Sequence, residues 1–80
     1  MALKLEILSP NGNLFSGEVE SVHLPGSYIP FEVLKGHAPI ISSLSKGEIR
    51  LTTSQGEAKS ISISGGFAKV KNDIVTVCVE

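Results

Sequence analysis

Apolar and polar residues alternate with a period of two along most of this chain, the pattern of strands that bury one face. Leu3, Leu5 and Ile7 share one parity, with Lys4 and Glu6 on the other. Ser9-Pro10-Asn11-Gly12 is turn chemistry, because proline fixes φ and glycine permits positive φ. A second run covers Leu14 to Leu24. Its apolar positions slip partway: Val19 shares its parity with Ser21 and His23, whereas Val22 and Leu24 share theirs with Glu18 and Glu20. That slip predicts a β-bulge or a passage between sheets. Pro25-Gly26-Ser27-Tyr28-Ile29-Pro30 then interrupts pairing, Phe31 to Leu34 forms a short run, and Gly36-His37-Ala38-Pro39 breaks it. The spacing of Ile40, Ile41 and Leu44 fits one turn of helix as well as a short strand, and Pro39 and the serines favour the strand.

The C-terminal half alternates more plainly. Ile49, Leu51 and Thr53 stand against Glu48, Arg50 and Thr52, and Ser54-Gln55-Gly56-Glu57 supplies a hairpin connection. Ile61 and Ile63 alternate with serines, Ser64-Gly65-Gly66 breaks the run, and Ala68 and Val70 lead into an Lys71-Asn72-Asp73 turn. Val75, Val77 and Val79 close the chain against Thr76 and Cys78. Roughly eight short strands separated by Gly, Pro and Asn turns predict an all-β fold, a sandwich or a barrel. The 80 residues suffice for a single domain spanning 1–80.

Composition narrows the function classes. The net charge is -1 and aromatics are 5% of the chain, so neither the basic stripe nor the stacking aromatics of a nucleic-acid binder is present. Cys78 is the single cysteine, which excludes an internal disulfide framework and multi-cysteine zinc sites. The first residues, Met1 to Glu6, carry charge early and lack the apolar core of a signal peptide.

Candidate chemistry is sparse. His37 lies in a bend, where a polar side chain serves a turn or a partner surface more often than catalysis, which needs an oriented constellation. His23 lies within a strand. Cys78 lies between valines in the last strand, with no helix terminus or neighbouring base to activate a thiol nucleophile. Glu18 and Glu20 share a strand face with nothing to indicate a cleft. The glycines punctuate strands and form no phosphate-cradling loop before a helix. No catalytic residue, cofactor or metal is therefore assigned, and a surface-presenting domain is expected.

The order of segments resembles the epsilon subunit of F-type rotary ATP synthases, specifically its N-terminal domain, which implies a small antiparallel β-sandwich of two packed sheets. The resemblance runs through Phe15-Ser16-Gly17-Glu18-Val19-Glu20-Ser21-Val22, Leu24-Pro25-Gly26, Phe31, Val33-Leu34, Gly36-His37-Ala38-Pro39, Ile63-Ser64-Gly65-Gly66-Phe67 and Val75-Thr76-Val77. Ile40-Ile41 stands where the family usually carries two leucines. The chain departs from the family at Ile29, Glu32 and Lys35, where relatives usually carry glycine, glycine and proline. The loop that results is bulkier and more apolar than in relatives, and because in relatives this end of the sandwich lies near the c ring, the resemblance implies a c-ring contact at Tyr28, Ile29, Pro30 and Glu32. The resemblance likewise implies a gamma-subunit interface at His37, Ala38, Pro39, Ile40, Ile41 and Leu44. Many relatives continue into a C-terminal helical hairpin that inhibits hydrolysis and in some binds ATP. This sequence ends at Glu80, which leans toward a naturally short subunit over a truncated one, with neither property expected of these residues.

The implied role is a non-catalytic rotor part of the central stalk, linking gamma to the c ring on the cytoplasmic face of a bacterial inner membrane. Membrane association would be indirect, through the complex. A free-standing β-sandwich module that binds a peptide or small ligand is the alternative; it predicts a concave apolar pocket and a monomer stable alone.

Overall fold

Leu3, Leu5 and Ile7 are fully buried, so the first alternating run places its apolar face on the core as β1 (Leu3–Ser9). The computed structural model describes residues 3–80; Met1 and Ala2, the start of the chain, lie outside the described residues. Seven further strands follow: β2 (Gly12–Leu24), β3 (Phe31–Leu34), β4 (Ile40–Leu44), β5 (Gly47–Thr53), β6 (Ala58–Ile63), β7 (Gly66–Lys71) and β8 (Ile74–Val79). The segment at Ile40 to Leu44 is a strand, as Pro39 and the serines suggest.

The strands form one hydrogen-bonded sheet in the order β4-β7-β8-β1-β2-β5-β6, with β3 also on β2. The two layers of the expected sandwich are thus made by one sheet that curls, and β2 is the strand that serves both. Its first part, Gly12 to Val19, pairs with β1. Its last part, Ser21 to Leu24, pairs with β3 on one side and β5 on the other. Between them, Val19 faces Thr53 while Ser21 faces Thr52. Glu20 is therefore an extra residue, a bulge that reverses the alternation. Val19, Val22 and Leu24 can all point inward as a result, and all three are fully buried.

Inward residues of β1, β7 and β8 (Leu3, Leu5, Ile7, Val70, Val75, Val77) meet those of β2, β3, β5 and β6 (Val22, Leu24, Val33, Ile49, Leu51, Ile63) in one core. Each such aliphatic side chain stabilises the fold by about 1.5–3 kcal/mol. On one side the layers meet where the Lys59 ammonium lies 5.8 Å from the Phe15 ring centroid. The other side closes where Gly26 bridges Leu44, flanked by Ser27 N–H donating to Ser43 O at 2.9 Å and Ser45 N–H to Pro25 O at 2.8 Å.

Pairing is antiparallel except between β1 and β8, which run parallel with Lys4 opposite Ile74 and Leu8 opposite Cys78. The first and last strands are joined by no hairpin, so no tight turn dictates their direction.

Candidate partner-docking surfaces

The loop between β3 and β4 is built on a tight turn. His37 N–H donates to Leu34 O at 3.1 Å, and Gly36 takes φ +86°. Positive φ at the third position is what a type II turn demands, and glycine meets it without strain. The His37 ring turns back onto its own loop. Its Nδ1 lies 2.7 Å from the Ala38 carbonyl, and because a carbonyl only accepts, Nδ1 carries the proton and donates. The ring centroid is 6.4 Å from that of Phe31. His37 is thus half-buried and occupied in shaping the loop, while Ala38 and Pro39 are exposed beside it. Across the fold, Asp73 Oδ1 accepts from Gly36 N–H at 2.7 Å.

Strand alternation divides the next residues between surface and core. Ile41 is 73% exposed, whereas Leu44, three positions on, is 5% exposed. Leu44 shares parity with Ile40 and Ser42, whose partners Val70 and Ala68 are buried. Leu44 is therefore not a surface residue: it lies beneath the face that Ile41 presents. Ile40 is partly exposed because β4 is an edge strand.

The outer face of β4, β7, β8 and β1 carries apolar residues that the sequence reading did not place on a surface. Ser43, Phe67, Cys78 and Leu8 lie in one cross-strand row, and Ile41, Lys69, Thr76 and Glu6 in the next. Phe67 is 54% exposed. A shallow depression of about 420 Å³ beside this face is lined by Pro39, Ile40, Ile41, Lys69, Val70 and Lys71. The signal was available in the alternation: Phe67 is out of phase with Ala68 and Val70, and Cys78 with Val77 and Val79. Exposed apolar side chains that gather on one face mark an interaction surface better than isolated ones do.

The loop between β2 and β3 lies at the opposite end of β3. Tyr28 is 99% exposed and Ile29 64%, and Pro30 is also exposed. Glu32 does not belong to this tip. It sits within β3 opposite His23, and with Arg50 and Ser60 it forms a polar row across the outer face of β3, β2, β5 and β6. This second face is polar throughout that row, whereas the first sets Phe67, Ile41 and Leu8 among Lys69, Thr76 and Glu6. Its depression of about 400 Å³ is lined by His23, Glu32, Arg50 and Lys59 among others. The buried Nδ1 of His23 has no hydrogen-bond partner there.

Among the described residues no three His, Cys, Asp or Glu side chains gather to hold a metal ion. No helix of the described residues is long and apolar enough to cross a membrane. The arrangement offers apolar and charged faces with loops at both ends, which is the chemistry of docking.

Comparison with known proteins gives these faces a context. The family model for the ATP synthase delta/epsilon chain β-sandwich domain matches residues 2–80. The ATP synthase epsilon chain of Chlorobium limicola is 40% identical over 79 residues, covering 99% of this chain and 90% of the relative. That of Wolinella succinogenes is 44% identical over 77 residues, covering 96% of this chain and 57% of the relative. Among solved structures, a chain of the Euglena gracilis mitochondrial ATP synthase (OSCP/F1/c-ring, rotational state 1) superposes with a TM-score of 0.91 at 21% identity, over 98% of this chain and 50% of that one. A chain of the Tetrahymena thermophila mitochondrial ATP synthase central stalk and c-ring gives 0.78 at 10% identity, over 99% of this chain and 63% of that one. These two structural matches establish a shared fold.

Proposed function

This chain belongs to the ATP synthase delta/epsilon β-sandwich family, and from that membership we propose that it is a non-catalytic central-stalk subunit which fastens the gamma subunit to the c ring. Torque has to cross such a joint without slip, and that calls for a stiff sandwich with broad complementary surfaces, not a reactive group. The observation that carries the proposal is the exposed apolar face around Ile41 and Phe67, continuous with the Gly36-His37-Ala38-Pro39 loop. We place gamma on this face, against Ala38, Pro39, Ile40, Ile41 and Phe67, with His37 shaping the loop and Leu44 supporting it from the core. The c ring is assigned to the far end, at Tyr28, Ile29 and Pro30, with Glu32 on the strand behind. Two loops at opposite ends of β3 suit a part that joins two partners. The domain would sit on the cytoplasmic side of a bacterial inner membrane, held there by the complex.

A pull-down against separately purified gamma subunit and c ring tests this. The chain is expected to retain gamma, and Ile41→Asp to lose it. A folded, monodisperse chain that retains neither partner would leave only the fold in common with the family.

A further inference from the structure

We propose that Asp73 is a positioning residue that holds the gamma-docking loop in shape from the β7–β8 turn, compensating for a lysine where the loop's own turn would favour proline. The proposal rests on the assignment of gamma to the Gly36-His37-Ala38-Pro39 loop.

The geometry is specific. Asp73 lies in the β7–β8 turn with φ +61°, next to Asn72 at +52°. Its backbone O accepts from Lys4 N–H at 3.0 Å, which fixes the turn to the start of β1. Its carboxylate reaches a loop 37 residues away in sequence: Oδ1 accepts from Gly36 N–H at 2.7 Å. Oδ2 lies 3.8 Å from the Lys35 ammonium. Both side chains of that ion pair are more than a third exposed, at 43% and 34%, so the pair itself contributes little. The short bond to the backbone N–H is the stronger restraint, because a carboxylate acceptor gives a charge-assisted hydrogen bond.

The turn needs that restraint. Leu34, Lys35, Gly36 and His37 are its four residues, closed by His37 N–H on Leu34 O. Proline is favoured at the second position because it presets φ. Lys35 occupies that position and presets nothing. Asp73 orients the next peptide from outside instead. Gly36 is thereby held, and with it the direction in which His37, Ala38 and Pro39 leave β3.

Three variants separate this role from general stability. Asp73→Gly removes the carboxylate but accepts positive φ, so the β7–β8 turn is not strained. Asp73→Asn keeps an acceptor at Oδ1 and tolerates the same backbone. Lys35→Pro with Asp73→Gly restores a stiff turn by another route; Leu34 is already extended, as a residue before proline must be. Amide hydrogen exchange by NMR is read at Gly36 and His37 in the isolated chain, and gamma affinity is measured alongside. Asp73→Gly should speed exchange at these two amides about tenfold while the core strands keep their protection. It should also weaken gamma binding about tenfold, with Asp73→Asn within about threefold of the parent and the double variant recovering most of the affinity. Unchanged exchange at Gly36 in Asp73→Gly would overturn the proposal whether or not gamma binds. Faster exchange with unaltered gamma affinity would overturn it too, since the loop would then need no anchor to dock. If the parent chain binds no gamma at all, the assignment of the partner fails, and the exchange data still decide whether Asp73 holds the loop.

Discussion

Gly26 and Leu44 form an isolated antiparallel bridge that joins the end of β2 to the end of β4 and so closes the sandwich on one side. The loop that follows leaves no room for a side chain at position 26. A Cβ there would collide with the Ile29 carbonyl oxygen and come within 3.0 Å of the Phe31 ring. The collision with the carbonyl is against backbone, which cannot swing aside as a side-chain tip could. Gly26→Ala should therefore destabilise the domain by about 2–4 kcal/mol. Urea unfolding followed by circular dichroism measures it as a lower midpoint at unchanged slope. A midpoint within error of the parent would mean that the Ser27 to Pro30 loop yields freely.

Ile41 and Leu44 supply the sharpest test of which side of β4 faces a partner. Ile41→Asp adds a charge to a side chain already 73% exposed, so stability should stay within about 0.5 kcal/mol of the parent. Leu44→Ala removes a side chain only 5% exposed and should cost about 2–5 kcal/mol. Gamma binding should reverse that order, with Ile41→Asp abolishing it and Leu44→Ala sparing it at temperatures where the variant is folded. Equal loss of binding in both would show that the partner senses the stability of the sheet and not its outer face.

Much of this fold is written locally, and the parts that are not share a cause. The bulge at Glu20 was legible because the change of parity between Val19 and Val22 lies within one run. The eight strands and the hairpin through Gly56 were legible for the same reason. The parallel pairing of β1 with β8 was not, because alternation says which face is buried but not which strand lies alongside. Leu44 was grouped with the gamma interface through its place in a family segment, although its parity with Ser42 and Ile40 already set it on the face opposite Ile41. Asp73 looked like an ordinary turn residue. Its reach to Gly36 depends on a tertiary contact that no local pattern encodes.

The tip of the β2–β3 loop should be dispensable for folding and necessary for one partner only. Tyr28 is 99% exposed, so ordering it costs side-chain entropy that nothing within this chain offsets. Replacing Tyr28 and Ile29 together by serine should change stability by less than about 0.5 kcal/mol. Co-sedimentation with c rings in detergent should fall while gamma binding holds, because the loop and the Gly36-His37-Ala38-Pro39 segment leave β3 at opposite ends. A parallel loss of both partners would argue against separate docking ends.

Cys78 reports directly on the apolar face. It lies in the outer row between Phe67 and Leu8 and is a free, partly exposed thiol. Being the single cysteine of the chain, it can be followed without mutating anything. Alkylation by a small uncharged maleimide should proceed in the isolated chain and slow about tenfold or more on adding excess gamma, since a well-packed interface core excludes water and reagent alike. Gamma prepared without accessible cysteines, with mass spectrometry of the intact chain, keeps the signal specific. Phe67→Asp places a charge beside Cys78 on the same face. It should restore the rate in the presence of gamma by preventing docking, whereas Glu48→Gln, on the outer face of the other layer, should leave the protection intact. Protection lost in both variants, or absent from the parent complex that the pull-down detects, would move gamma off this face and onto the edge of β4 alone.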